Sequence, residues 1–344
     1  MKVKRFSPML RAQGFHVIHY GVAGAESGAN EQVDLMTQEE HLALLGRAAY
    51  HEDPSRLIGV DANDSTSLYK QFNFTLKDEL DARLEPGDII CIPFGPAHER
   101  AYRGLDLVRS KQVAVVETGI GYADTCSHYR VFESESWRHY QYGRDRRFGA
   151  SWNSVRLEWV IPNYYDPADW PLGVERDASR IVYLGRLEKC KGLELIPWLA
   201  ERRPDLTFQI CGQGDPTEYL TSKNIEYIEP ISGKARATFL GSARAVLCPS
   251  RYLEPFCGVA VEAMLCGTPA ITSDFGAFTE TIKPGLTGLR CRTREAFLKA
   301  LDDVVEMSNA QVRRSTVNRY SMSVLGHKYA AVFNEVCAAM PVGV

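Results

Sequence analysis

The sequence predicts an α/β protein with two Rossmann-like domains. Short apolar runs alternate with segments of helical periodicity along the chain, which is typical of βα units and mainly parallel sheets. The alternation is interrupted by a Pro- and Asp-rich stretch at residues 162–171, which indicates a linker. A chain of 344 residues, 45% hydrophobic and 24% charged, is long for one core and suits two.

The first half begins with an amphipathic helical pattern at residues 2–13, followed by an extended run at 16–20. A Rossmann unit normally opens with a central strand and a glycine loop ahead of such a helix, so the first strand is expected to be missing. We interpret the start as truncated relative to the natural protein, and a rearranged sheet is the alternative. The remaining expected elements of this half are strands at 56–60, 88–92, 113–117 and 131–133 and helices at 37–50, 67–84 and 97–109.

The second half repeats the alternation and ends in a long helical pattern. We place the first domain at residues 1–170, the second at 171–323 and a C-terminal helix within 324–344. The expected strands of the second half are 180–184, 207–211, 225–228, 245–248 and 270–273, and the last helix is expected at 324–340.

Charge and cysteine usage exclude some classes of protein. The net charge of −3 gives no indication of nucleic-acid binding. Nine cysteines without a C-x-x-C pair indicate free thiols in a reducing compartment, which predicts a cytoplasmic protein. No apolar run in the sequence approaches the length of a membrane span, and the N-terminal residues lack the apolar core of a signal peptide. Two basic clusters are interpreted as solvated faces, with contact to an anionic membrane or an acidic acceptor as the alternative: Lys2, Lys4, Arg5 and Arg11, and Arg144, Arg146 and Arg147.

The most informative segment is EPFCGVAVEAMLCGTP, residues 254–269, in which two glutamates stand eight positions apart. A strand is expected to end just before it, and Gly258 is expected to open a helix whose free N–H groups favour an anion. Glu254 is then placed to accept hydrogen bonds from sugar hydroxyls. Glu262 lies about one turn into the helix, where it can reach ribose hydroxyls.

A second cluster of candidate residues follows the strand expected at 180–184. Arg186 comes directly after Gly185, and Lys191 follows five positions later. Both cations can converge at the carboxyl end of the sheet, where Rossmann-like domains bind ligands. Gly212, in a Gly-x-Gly turn after the next strand, is expected to leave room for the backbone near the same ligand.

These segments together resemble the retaining GT-B glycosyltransferases of family 4, the group 1 glycosyl transferases. The resemblance is carried by the E-x7-E segment, by IVYLGRLEKCKGLELIPWL, by FQICGQGDPTEYL and by VIPNYYDP, and it extends from about Val160 to Val336. It implies two Rossmann-like domains that face each other across a cleft, with the C-terminal helix returning to the first.

The resemblance also implies an activity, namely transfer of a sugar from a UDP- or GDP-sugar to an acceptor hydroxyl with retention of configuration. No cofactor and no metal ion are expected, because a D-x-D motif is absent and the two cations can neutralise the leaving diphosphate. The implied roles are binding of the diphosphate by Arg186 and Lys191, of the donor sugar by Glu254 and of the ribose by Glu262. Gly258 and Val259 would offer backbone amides, Gly212 would leave room for the backbone, and Gly185 is a further donor-binding position.

The first domain departs from the family pattern, since the stretch VAVVETGIGY lacks the histidine often found there. Glu117 is the candidate to orient the acceptor hydroxyl or take its proton, and a structural loop glutamate is the alternative. His98 is interpreted as structural. A nucleotide-sugar-binding accessory protein and an enzyme of the same fold that breaks or epimerises sugars remain alternatives. The acceptor stays open, with a glycan and a lipid-linked glycan among the candidates.

Overall fold

The computed structural model describes residues 2–45, 65–93, 95–144, 157–173 and 176–340. Contacts divide the chain into two compact units. Among the described residues, the first unit holds those before Tyr165 and those after Ser321, and the second holds Tyr165–Ser321. These divisions lie close to the boundaries that the sequence predicts at residues 170 and 323.

All strand pairs among the described residues of the first unit are parallel, and these strands form two sheets. One sheet pairs β1 with β2, and the other has the order β3-β4-β5-β6. The strands are β1 Ile18–Val22, β2 Glu31–Met36, β3 Ile89–Ile92, β4 Ala114–Ile120, β5 Tyr129–Phe132 and β6 Leu157–Val160. The helices before the second unit are α1 Lys2–Arg11, α2 Gln38–Leu45, α3 Ser67–Arg83, α4 Glu99–Tyr102, α5 Asp106–Arg109 and α6 Glu135–Arg144.

The described strands of the first unit fall into two sheets. Within the described ranges, no strand pairs with the second edge of β1 or of β3. Tyr20 of β1 nevertheless packs in one hydrophobic cluster with Ile90 and Ile92 of β3. In the part of the chain that the structure describes, the two sheets therefore share apolar contacts without sharing backbone hydrogen bonds.

Several first-half predictions are confirmed and one is wrong. The helix predicted at 67–84 is α3, and the strand at 88–92 is β3. The single helix predicted at 97–109 is instead a 3-10 turn followed by α4 and α5. The chain becomes extended at Leu105, just after Gly104, and this brings the Leu105 side chain into the core at 3% exposure. The sequence did not predict β2 or α6, and the strand predicted at 56–60 lies outside the described residues.

The second unit is built on six parallel strands in the order β12-β11-β10-β7-β8-β9. This is the doubly wound order, with the chain reversing direction across the sheet between β7 and β10. Ile210, Val246 and Ile271 are fully buried in the core of the sheet. The strands are β7 Asp177–Leu184, β8 Thr207–Cys211, β9 Ile225–Ile228, β10 Ala243–Cys248, β11 Ala270–Ser273 and β12 Gly288–Cys291, and the helices are α7 Leu195–Arg202, α8 Gly233–Gly241, α9 Gly258–Leu265, α10 Phe278–Thr281, α11 Arg294–Asp303 and α12 Asn309–Tyr320.

The strand predictions for this half are confirmed, and three of them (207–211, 225–228 and 270–273) have the bounds of β8, β9 and β11. β12 was not predicted, because its four residues GLRC carry little apolar signal. It is recognisable only from its pairing, since a Cβ at Gly288 would lie 2.0 Å from the carbonyl oxygen of Ala270 on β11.

The last helix, α13 Met322–Ala339, corresponds to the helix predicted at 324–340. It belongs to the first unit. It packs against α1 through aromatic rings. Phe6 lies with its ring centroid 5.0 Å from that of Tyr329 and 6.5 Å from that of Phe333, both in edge-on geometry. Such pairs stabilise beyond the area they bury.

Candidate functional site

The candidate site of the second unit lies where β7 and β10 end side by side. In an open parallel sheet, ligands bind beyond the carboxyl ends of the strands at the point where the strand order reverses. The loop after β7 carries Arg186 and Lys191, and the loop after β10 carries Glu254. The fold therefore brings together the two motifs that the sequence analysis singled out about seventy residues apart.

The loops at this edge of the sheet approach so closely that only glycine fits at two positions. A Cβ at Gly212 would lie 1.7 Å from the carbonyl oxygen of Gly185, and one at Gly192 would lie 2.1 Å from that of Pro249. Gly192 also has a φ of 73°, in the left-handed region. The Arg251 amide donates to the Cys190 carbonyl at 2.8 Å and links the loops directly. The space beside the Gly212 Cα is thus occupied by the backbone of Gly185.

Lys191 and Glu254 form an ion pair at the centre of the site. Lys191 Nζ lies 2.9 Å from Glu254 Oε1 and 3.0 Å from the Tyr252 hydroxyl. The Ser250 hydroxyl donates to Glu254 Oε1 at 2.6 Å, and the Tyr252 hydroxyl donates to Oε2 at 2.6 Å. The side chains of Lys191 and Glu254 are 16% and 4% exposed. This network fixes the carboxylate from three sides.

Electrostatics keep Lys191 charged in spite of its burial. Burial alone would lower the pKa of Lys191, but the attraction of Glu254 and the hydrogen bonds to Tyr252 and Glu254 outweigh it and raise the pKa above its ordinary value. The site therefore holds a permanent ammonium group beside a carboxylate at neutral pH.

Arg186 differs from Lys191 in its exposure. Its side chain is 55% exposed and pairs with Glu188 at 3.0 Å. The Tyr183 hydroxyl donates to the Arg186 carbonyl at 2.7 Å and holds the turn in place. An exposed pair of this kind is weak and can exchange its partner for a ligand anion.

Helix α9 begins abruptly at Gly258, as the sequence predicts. Cys257, directly before it, has a φ of 66°, a left-handed conformation uncommon outside glycine, and it turns the chain into the helix. The amides of Gly258 and Val259 fall in the first turn, where helical N–H groups have no intrahelical partner. The Tyr165 hydroxyl lies 3.4 Å from the Gly258 carbonyl oxygen, within hydrogen-bonding distance. Glu262 follows one turn later and is 5% exposed.

Glu117 of the first unit lies in the interior, on β4. It is fully buried, and its oxygens accept hydrogen bonds from the Tyr122 hydroxyl at 2.9 Å and from the amides of Cys126 and Ser127 at 2.9 and 3.2 Å. Burial raises the pKa of Glu117, and these hydrogen bonds oppose the rise. Its contacts favour the alternative role, in which Glu117 holds the loop after β4.

His98 is held in the first unit as the sequence analysis expected. Its Nδ1 lies 2.8 Å from the Asn73 side-chain oxygen, and its ring contacts Tyr69 and Phe72. Burial lowers the pKa of His98 to about 4, so the imidazole is neutral at pH 7.

Sequence reasoning missed Ser250, Tyr252 and Arg236. Ser250 and Tyr252 share the loop of Glu254, so polarity around the motif was a usable signal. Arg236 forms an ion pair with Glu262 from 26 positions away, and no sequence spacing indicates that contact. Long-range pairing of this kind is set by the packing of α8 on α9.

Two kinds of feature are absent from the described ranges. Within them, no three His, Cys, Asp or Glu side chains form a group that could hold a metal ion. No helix in the same ranges combines the length and apolar character needed to cross a membrane.

Comparison with known proteins points to one family. Residues 167–319 match the family described as "Glycosyl transferases group 1". The chain is 30% identical over 181 residues to glycogen synthase of Mycobacterium tuberculosis, covering 48% of this chain and 44% of that protein. It is 29% identical over 201 residues to phosphatidyl-myo-inositol mannosyltransferase of Mycolicibacterium smegmatis, covering 52% of each. The chain thus spans about half the length of the curated relatives it matches.

The likeness to solved structures extends over nearly the whole chain. A glycosyltransferase involved in avilamycin A biosynthesis superposes with a TM-score of 0.68 at 16% identity, covering 97% of this chain and 88% of that one. At this identity the likeness shows the fold, and it confirms the predicted GT-B class of α/β protein.

Proposed function

We propose, on the premise that residues 167–319 form a group 1 glycosyltransferase domain, that the protein transfers a sugar from a nucleoside diphosphate-sugar to an acceptor hydroxyl. The observation that carries the proposal is the buried network of Lys191, Glu254 and Tyr252 at the switch point of the second unit's sheet. This network combines a fixed cation for phosphate with a fixed carboxylate for sugar hydroxyls.

The diphosphate would bind between the two loops and the start of α9. Lys191 contributes a fixed positive charge, and Arg186 contributes an exposed guanidinium that can leave Glu188. The amides of Gly258 and Val259 add two donors at the positive end of a helix. Charge that develops on the leaving diphosphate is then met by groups already oriented towards it.

Glu254 would hold the donor sugar. An ionised carboxylate offers roughly four lone-pair sites. Lys191 and Ser250 occupy Oε1, and Tyr252 occupies one site of Oε2. The remaining site on Oε2 can accept a hydrogen bond from a sugar hydroxyl, and the three protein contacts fix its direction.

Glu262 would bind the ribose, and UDP and GDP are the nucleotides we expect. Retention of configuration and independence from a metal ion are part of the proposal. Independence from a metal ion is supported by the cations at the diphosphate position, which supply the charge a metal ion would otherwise bring. In a front-face reaction the leaving phosphate itself takes the acceptor's proton, so no separate protein base is required.

The acceptor hydroxyl would belong to a glycan or a lipid-linked glycan. The names of the two relatives refer to a polysaccharide and to a phosphoinositide lipid. A lipid-linked acceptor would bring the basic residues of α1 to an anionic membrane surface, where each contributes about 1 kcal/mol. In the structure Lys4 pairs with Glu26 at 2.7 Å, with both side chains exposed, so this pair can open.

An accessory protein that binds the donor without turnover is the second candidate. The contacts of Glu117 favour it, because both oxygens of that carboxylate are engaged within the first unit and are not offered to an acceptor hydroxyl. Donor binding without release of nucleoside diphosphate would support this candidate.

A thermal-shift and hydrolysis panel of UDP-, GDP- and ADP-sugars tests the proposal. A ligand at 100 times its Kd should stabilise the fold by about 2.7 kcal/mol, so binding is readily visible. We expect one nucleotide class to raise the Tm and to be hydrolysed slowly. A matched pair of variants localises the effect: Arg186→Met should reduce it, whereas Arg292→Met, an exposed arginine paired with Asp274, should not. A lack of response to every donor would contradict the proposal.

A further inference from the structure

Helix α8 places an arginine against the glutamate that we assign to the ribose. Arg236 lies in the first turn of α8, directly after the loop of residues 229–232. Its Nη2 donates to Glu262 Oε2, and the two side chains are 23% and 7% exposed. The contact joins α8 to α9 at the edge of the candidate site.

The guanidinium of Arg236 is only partly used by the protein. Its Nε is buried and lacks a hydrogen-bond partner among the described residues. A buried donor without an acceptor is unfavourable, and such groups call for a specific explanation. A ligand oxygen would satisfy the geometry, because Nε and the Nη atoms donate in one plane.

The neighbours of Arg236 locate this donor at the carboxyl edge of the sheet. Cys211 ends β8, and its thiol donates to the Glu229 carbonyl at 3.3 Å. Burial raises the pKa of Cys211 to about 11, while the Ile231 amide and the charge of Arg236 oppose the rise. Arg236 therefore lies close to the loop that follows β9 as well as to Glu262.

The two oxygens of Glu262 face different surroundings. Oε2 accepts from Arg236, whereas Oε1 lies 3.9 Å from the position a Cβ would take on Gly258. Oε1 therefore points towards the first turn of α9, where the diphosphate is proposed to bind. A ribose attached to that diphosphate would reach the same oxygen.

We propose that Arg236 is a positioning residue for the nucleoside half of the donor. It orients Glu262 so that Oε1 accepts a hydrogen bond from a ribose hydroxyl, and its Nε–H donates to an oxygen of the same nucleoside. The inference rests on the proposed function of the site. It assigns the ribose selectivity of the protein to a residue on α8, outside the sequence motifs.

Ribose analogues distinguish this role from a purely structural ion pair. The probe is whichever nucleoside diphosphate stabilises the full chain most, together with its 2′-deoxy and 3′-deoxy forms. The wild type should prefer the ribose form over at least one deoxy form by about tenfold, the equivalent of one hydrogen bond to a charged group. Arg236→Met should weaken binding of the ribose form by about tenfold and abolish the preference, with kcat at saturating donor changed much less.

Two further variants complete the test. Arg236→Lys should restore part of the preference, because it keeps the charge but loses the planar fork. Arg244→Met is the matched control, since Arg244 is also mostly buried and binds the carbonyls of Leu301 and Ala178. It should lower the Tm without altering the ribose preference. If Arg236→Met does not fold, Arg236→Gln, which keeps a planar N–H donor but no charge, takes its place.

The outcomes separate the inference from the function on which it rests. An unchanged ribose preference in the folded Arg236 variants would overturn the inference, even if their Tm fell, because a structural pair predicts that result. Binding of no nucleoside diphosphate by the wild type would instead overturn the proposed function and the inference with it.

Discussion

Replacing Lys191 by methionine tests the central ion pair. Methionine keeps most of the side-chain volume, so the change removes the charge and the N–H donors with little change in packing. Glu254, 4% exposed, would keep its hydrogen bonds from Ser250 and Tyr252 and lose its cation. Removing one partner of a buried pair costs roughly 3–5 kcal/mol, and the surviving hydrogen bonds favour the lower end of that range.

The double variant Lys191→Met with Glu254→Gln separates stability from catalysis. Neutralising Glu254 removes the uncompensated charge, so the double variant should regain about 1–2 kcal/mol relative to Lys191→Met alone. Donor hydrolysis should stay low in both, because loss of one group that stabilises developing charge lowers kcat by about 100-fold or more.

Urea unfolding at neutral pH and donor hydrolysis are the two assays. The folded-state pKa of Lys191 lies above its ordinary value of 10.5, so the stability from the pair is fully present below pH 10.5 and is lost only as the pH rises through the folded-state pKa. Turnover equal to wild type in Lys191→Met would refute the catalytic role. A double variant no more stable than the single one would refute the reasoning about the buried carboxylate.

Three further predictions concern residues that stabilise the fold of each unit. Gly192→Ala should destabilise the fold by more than about 2 kcal/mol, because the new Cβ would collide with the Pro249 carbonyl. Gly233→Ala is the control and should cost only about 1 kcal/mol, because Gly233 has a positive φ but open space around it. Equal losses of stability in urea unfolding would contradict the collision. Since burial lowers the pKa of His98 from 6.5 to about 4, stability present above pH 6.5 should fall by about 3 kcal/mol as the pH drops to 4. His98→Asn should unfold with a flatter pH dependence over that window, and an identical profile would count against it. Glu117→Gln should destabilise by about 1 kcal/mol, because its oxygen can still accept from the Cys126 and Ser127 amides while its NH2 cannot accept from the Tyr122 hydroxyl. Lost turnover at full stability would instead support a catalytic Glu117.

Local patterns predicted most of the second unit. β8, β9 and β11 are apolar runs bounded by turn residues, so their bounds follow from the sequence alone. β12 was not predicted because it is short and half polar, and only its backbone pairing with β11 defines it as a strand. The helix predicted at 97–109 failed because helical periodicity continued across Gly104, while burial of Leu105 requires an extended residue there.

The site could be predicted as a set of motifs but not as a network. Glycine before Arg186 and at the start of α9 marked where the backbone turns at strand ends, and this located the loops correctly. No sequence pattern indicated that Lys191 pairs with Glu254. The sequence also placed Glu117 at the end of a strand, whereas β4 continues to Ile120 and leaves the carboxylate buried inside.

The sequence by itself determined the α/β class, the order of the strands along the chain and the loops that carry the candidate residues. These properties follow from local periodicity and turn chemistry, which act over a few residues. Only the tertiary structure decided the burial of Glu117, the pairing of Lys191 with Glu254 and the pairing of Arg236 with Glu262. Such features depend on which distant segments share a core, and the free energy of burial, not local propensity, selects among them.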